Sequence, residues 1–106
     1  MKTLKSQVEH CLQTLPETRN SDITLTIAIW KRFYEEKLFK DEFGATAVRV
    51  RDLMELPRED NIKRIRAQFN AKGQYMPTVW KVAKQRGFKE TEWRNFLGYP
   101  VNSWDT

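Results

Sequence analysis

Apolar residues at Leu4, Val8, Cys11, Leu12 and Leu15 recur at offsets of four, seven, eight and eleven, which predicts an amphipathic helix stopped by Pro16. The polar run LPETRNSD then reads as a connection that delivers Ser21 or Asp22 as the N-cap of the next element. There Ile23, Leu25, Ile27 and Ile29 alternate as in a strand, while Ile23, Ile27, Trp30, Phe33, Tyr34 and Leu38 fit one helical face. The run through Lys40 is too long for a typical strand, so the pattern predicts a helix that Gly44 breaks. Next come a predicted strand over 48–50, a short helix over 52–56, a turn at Pro57, a longer helix over 59–71 and, after Gly73, a second extended piece over 74–76. On the longer helix Ile62, Ile65 and Phe69 form the inward stripe, Arg58 and Arg66 flank it, and Lys63, Arg64, Ala67 and Ala71 point away.

The last third predicts a helical hairpin. Thr78 can cap a helix over 79–86, Gly87 can take a left-handed turn, and a helix over 90–97 is closed by Gly98 and Pro100. Ala83, Gly87, Trp93 and Phe96 stand at helix-turn-helix spacing. Glu90 and Glu92 would face phosphate, however, and Glu90 is placed to pair with Arg94, so the hairpin reads as a structural lid. Trp80, Phe88, Trp93 and Phe96 read as core rather than as a base-stacking platform. Trp104, in the tail, either folds back or anchors a partner, and an open patch of Trp104 with Tyr99 would favour a protein partner.

The predicted fold class is therefore mainly α: one domain over 1–106, made of N-terminal helices (1–45), a small winged-helix or helix-turn-helix-like core with a short β element (46–77), and a C-terminal helical hairpin and tail (78–106). With 40% hydrophobic and 31% charged residues, and a mean hydropathy of −0.73, the chain is too apolar for intrinsic disorder and too polar for a membrane span. Its single Cys11 and single His10 exclude an internal disulfide and a Cys/His zinc cluster, and a reducing, cytoplasmic setting is expected. No metal and no cofactor is expected. Isolated Gly44, Gly73, Gly87 and Gly98 form no phosphate cradle. A metal-dependent nuclease built on Asp22, Glu35, Glu36 and Lys37 is set aside, because the Glu-Glu-Lys run lies on a predicted helix whose phase opposes convergence. The chain is expected not to be an enzyme.

Charge changes the picture more than composition does. The net charge is +5, yet residues 1–57 hold 9 basic and 9 acidic groups, net 0, while residues 58–94 hold 10 and 4, net +6. A clustered cationic excess suits a polyanion, because phosphate neutralisation and steering need cations close together. On the 59–71 helix, small residues between cations permit close approach to a groove, and Asn61, Gln68 and Asn70 can reach base edges. The expected nucleic-acid contacts are Arg58, Asn61, Lys63, Arg64, Arg66, Gln68 and Lys72, joined by Lys81, Lys84 and Arg86.

The strings LPETRNSD, LPREDNIKRIRAQFN and GQYMPT, with VAKQRG and EWR downstream, resemble a group of small proteins encoded by tailed bacteriophages. The resemblance covers most of the chain and brings no assigned reaction. It implies a winged-helix-like body, an Arg-bearing helix carried by Ile62, Arg64 and Arg66, and action in the bacterial host cytoplasm. Pro77 directly after Met76 departs from the usual two-stranded wing. The expected partner is double-stranded DNA, bound by a monomer or homodimer acting as a regulator or replication accessory. The alternative is a phage protein that inhibits a host-defence complex or polymerase by binding protein.

Overall fold

The computed structural model describes residues 3–97. Helix α1 (Leu4–Thr14) starts where the Thr3 hydroxyl accepts the Ser6 amide, and it buries Val8, Cys11 and Leu12 completely. Ser21, rather than Asp22, caps α2 (Asp22–Phe33) by accepting the Thr24 amide. The intervening residues do more than connect. They form a 3-10 turn (Pro16–Asn20) in which the buried Thr18 hydroxyl donates to the Cys11 and Leu15 carbonyls and Arg19 Nε donates to the Leu12 carbonyl, which satisfies the open C-terminus of α1.

Helix α2 ends at Phe33, seven residues before the predicted end. Tyr34 leaves helical geometry and its hydroxyl donates to Gln7 on α1, a short turn (Glu35–Lys37) follows, and Leu38–Lys40 becomes strand β1. It pairs antiparallel with β2 (Thr46–Val48), Leu38 opposite Val48. Asp41 makes the reversal by accepting the Phe43 and Ala45 amides, with Gly44 at φ +80° in the same turn. The predicted inward face of α2 is also corrected: Leu25, Thr26 and Ile29 are buried, while Ile23 and Ile27 face outward.

The strand expected over 48–50 lies two residues earlier, and Val50 instead opens the short helix α3 (Val50–Leu53). Helix α4 (Glu59–Ala71) has the predicted bounds and inward stripe, with Ile62 and Phe69 buried and Ile65 packed beside them. The second extended piece over 74–76 does not form a strand. Gly73 (φ +76°) and Tyr75 (φ +52°) turn the chain, and Asn70 Nδ2 donates to the Gln74 and Tyr75 carbonyls, so a side chain takes the acceptors a ladder would have used. The mainly helical class holds, with one two-stranded sheet among the described residues, which precedes α4 rather than flanking it.

Helices α5 (Trp80–Gln85) and α6 (Glu90–Phe96) form the expected hairpin around Gly87 at φ +89°. Thr78 does not cap α5 with its side chain. Asn20, from the 3-10 turn, accepts the Thr78 and Val79 amides and donates to the Thr78 hydroxyl. Ala83 and Trp93 are buried with Met76, and Trp80, Phe88 and Leu97 pack on them, as the core reading of the aromatics expects. Trp93 Nε1 donates to the Pro77 carbonyl, and the Glu90–Arg94 pair forms at 2.8 Å. Phe96 is more exposed and lies over Gly73, where an added Cβ would sit 2.6 Å from its ring. Gly98, Tyr99, Pro100 and Trp104 lie outside the described residues. Among the described residues, no helix is long and apolar enough to cross a membrane.

Candidate nucleic-acid interface

Helix α4 presents two cationic populations. Lys63 and Arg64 lie on its solvent face with Asn61 and Gln68, and Ala67 and Ala71 leave that face low between them. Arg58 at the N-cap and Lys72 beyond the C-terminus are also exposed. Arg66 is the opposite case and corrects the expectation: it is 5% exposed, its Nε and Nη2 each lie 2.9 Å from an oxygen of Asp22, and Nη1 reaches Asn70 at 3.3 Å. One turn from Ile62, it falls inside the buried stripe rather than beside it, and the carboxylate at the start of α2 meets it there.

Arg86 is corrected for the same reason. Its Nη1 donates to the Arg19 carbonyl at 2.8 Å, and its Nη2 lies 3.8 Å from Asp22. Asn70, offered as a base-edge reader, is fully buried in the same cluster. Asp22, Asn70 and two guanidiniums thus form an internal hub that joins α2, α4 and α5. Burial alone would raise the Asp22 pKa, but the Arg66 hydrogen bonds and the charges of Arg66, Arg86 and Lys63 hold it below the usual carboxylate value. Burial and the neighbouring Arg66 pull Arg86 down, against Asp22. Asp22 therefore faces cations rather than Glu35 or Glu36, and among the described residues no group of three or more His, Cys, Asp or Glu could hold a metal ion.

Of the ten expected contacts, Arg66 and Arg86 are held inside, and the other eight side chains reach solvent. Lys81 and Lys84 are exposed on α5. One cation escaped the sequence pattern: Lys5 of α1 lies beside Gln68 and Lys72 in a shallow depression, its Nζ 5.9 Å from the centre of the Phe69 ring. Nothing in the spacing of α1 singles it out, because only the packing of α1 on α4 brings the two positions together.

The remaining charged pairs lie elsewhere. Lys37 and Glu55 bond to each other at the surface, which raises the lysine pKa and lowers that of the glutamate. Tyr75 donates to Glu9, and burial together with that carboxylate raises its pKa. Burial likewise raises the Cys11 thiol, against the charge of Arg32, which leaves it a poor nucleophile at neutral pH. No protein-family model, no curated protein and no solved structure matches the chain.

Proposed function

We propose that this chain is a non-enzymatic module that binds double-stranded DNA through the outer face of α4, acting in a bacterial host as a phage regulator or replication accessory. In this reading α3 and α4 act as a helix-turn-helix without a wing, since among the described residues no strand follows α4. The observation that carries it is the division of labour on α4: Arg66 is neutralised inside the fold, while Lys63, Arg64 and Gln68 stay exposed with alanines between and beyond them. A helix with that face can lie close to a groove, and Lys5, Lys72, Lys81 and Lys84 supply further cations for phosphates. Glu59 and Asp60 in the first turn favour contact through the middle and C-terminal half of the helix, where no acidic side chain intrudes.

Anisotropy titration with duplex DNA, single strands and RNA across a salt series tests the proposal. Duplex should bind best, with a steep negative salt slope. The Lys63→Ala/Arg64→Ala variant should bind roughly 10- to 100-fold more weakly at moderate salt, with a slope smaller by about 2. Lys5→Ala should lower the slope by about 1. Lys31→Ala on α2 removes the same charge away from this face and should change little. Wild-type affinity and slope in the double variant would overturn the assignment.

A further inference from the structure

The face that α2 turns away from the core is apolar. Ile23 is 60% exposed, Ile27 43%, Leu53 45% and Met54 74%, and together these side chains open on the order of 450 Å² to solvent, comparable to the largest apolar patch on a typical monomer. Between α2 and the turn at Pro57 lies a hollow of about 520 Å³, lined by these four residues, Trp30 and Leu56 among others. A second hollow of about 420 Å³ shares Ile27 and Trp30 and continues over the hairpin at Leu38 and Val48. The floor is fixed in advance, because Trp30 Nε1 donates to the Pro57 carbonyl at 2.8 Å and Leu56 is buried beneath.

We infer that this face pairs the chain with a second copy of itself about a two-fold axis. Three observations favour that occupant. The four apolar side chains come from the half of the chain with net charge 0, and the charged residues that line the hollows have both signs, Lys31 and Arg58 against Glu59, with Lys37 paired to Glu55 nearby. About a two-fold axis the carboxylate of Glu59 on each copy is available to the Lys31 and Arg58 cations of the other, so the pairing carries its own complementary charges. Position agrees with charge. Met54, 74% exposed with its Sδ 3.7 Å from Arg58 Nη2, lines the hollow, and a two-fold pairing presents it to the same patch of the other copy. Size agrees as well: the four side chains from two copies bury about 900 Å², and the hairpin hollow carries the contact toward the about 1,200 Å² at which specific interfaces begin. The expected dimer is therefore weak, with a dissociation constant in the micromolar range.

Sedimentation velocity of the whole chain without nucleic acid, from about 1 μM to about 1 mM, tests this apart from the DNA reading. The mass should rise with concentration from 12.7 kDa toward roughly twice that. Ile27→Glu and, separately, Met54→Glu should each weaken the association at least tenfold with an unchanged circular dichroism spectrum. Both side chains are exposed, and Met54 lies outside any helix, so at least one variant keeps the fold. A constant monomer mass would overturn the proposal and hand the face to a different partner. Undiminished dimerisation in both variants would overturn the surface assigned.

Discussion

The Asp22 carboxylate serves two guanidiniums, and the arrangement makes it the residue on which the joint between α2, α4 and α5 depends. Removing the carboxylate leaves Arg66 and Arg86 facing each other in a largely buried site, which is the costly half of a broken ion pair. Asp22→Asn should lower stability by about 3 kcal/mol at neutral pH, read from urea unfolding. Its native pKa lies below the unfolded value near 3.8, so the stability it contributes is whole above about pH 5 and is lost as the pH falls through the native pKa. The wild-type urea midpoint should thus fall more steeply below about pH 4 than that of Asp22→Asn. Parallel pH profiles for the two proteins would show that Asp22 is not the group that titrates. Sequence spacing placed Arg66 only one position off the inward stripe; its inward turn depends on a partner 44 residues away, which no local pattern contains.

The elements that could be read from sequence are those with one apolar face. Leu4, Val8, Cys11 and Leu12 admit a single stripe, as do Ile62, Ile65 and Phe69, and α1 and α4 form on them. Helix α2 is apolar on two sides, so its period cannot say whether Ile23 and Ile27 or Leu25 and Ile29 go inward; packing against α1 and α4 decides. The hairpin was hidden for a related reason, since Leu38 continues the helical spacing and only pairing with Val48 makes its segment extended. Predicted nucleic-acid contacts survive as exposed positions where solvent exposure followed from helical phase alone, as at Lys63, Arg64 and Gln68. The entry to α5 shows the same limit, because the amides of Thr78 and Val79 just before the helix are taken by Asn20, 58 residues before Thr78. Asn20→Ala should cost about 1 kcal/mol, the usual net value of a lost intramolecular hydrogen bond, measured as a shift in urea midpoint. Asn20→Asp keeps the oxygen that takes the Thr78 and Val79 amides and should recover most of that loss. Equal losses in both variants would mean that the bond donated to Thr78, rather than the two amide bonds accepted by Asn20, holds the joint.

At the scale of the whole fold, two apolar clusters among the described residues carry different loads. The larger one joins α1, α2 and α4 through Val8, Cys11, Leu12, Leu25, Ile29, Ile62 and Phe69. The smaller one, Met76, Ala83 and Trp93 with their neighbours, holds α5 and α6 to the segment after α4. Between them run mainly polar ties: Asn20 to residues 78 and 79, Arg86 to the Arg19 carbonyl and to Asp22, and the contact of Phe96 with Gly73. The smaller cluster buries less apolar area, so it should open without unfolding the larger one. Native-state hydrogen exchange should therefore give α1, α2 and α4 the global free energy, with amides of α5 and α6 and the Trp93 indole NH at least about 2 kcal/mol lower. Asn20→Ala breaks native bonds that are lost in both openings, so it should lower both groups by the same amount and leave the gap unchanged. Uniform protection along the chain would mean that the polar ties fuse the two clusters into one cooperative unit. The division bears on binding: Lys63 and Arg64 stand on a helix of the rigid cluster, while Lys81 and Lys84 stand on the part that opens. Adding duplex DNA should then raise protection in α5 as its lysines take phosphates, and leave α4, already at the global limit, rising only with the stability of the whole fold.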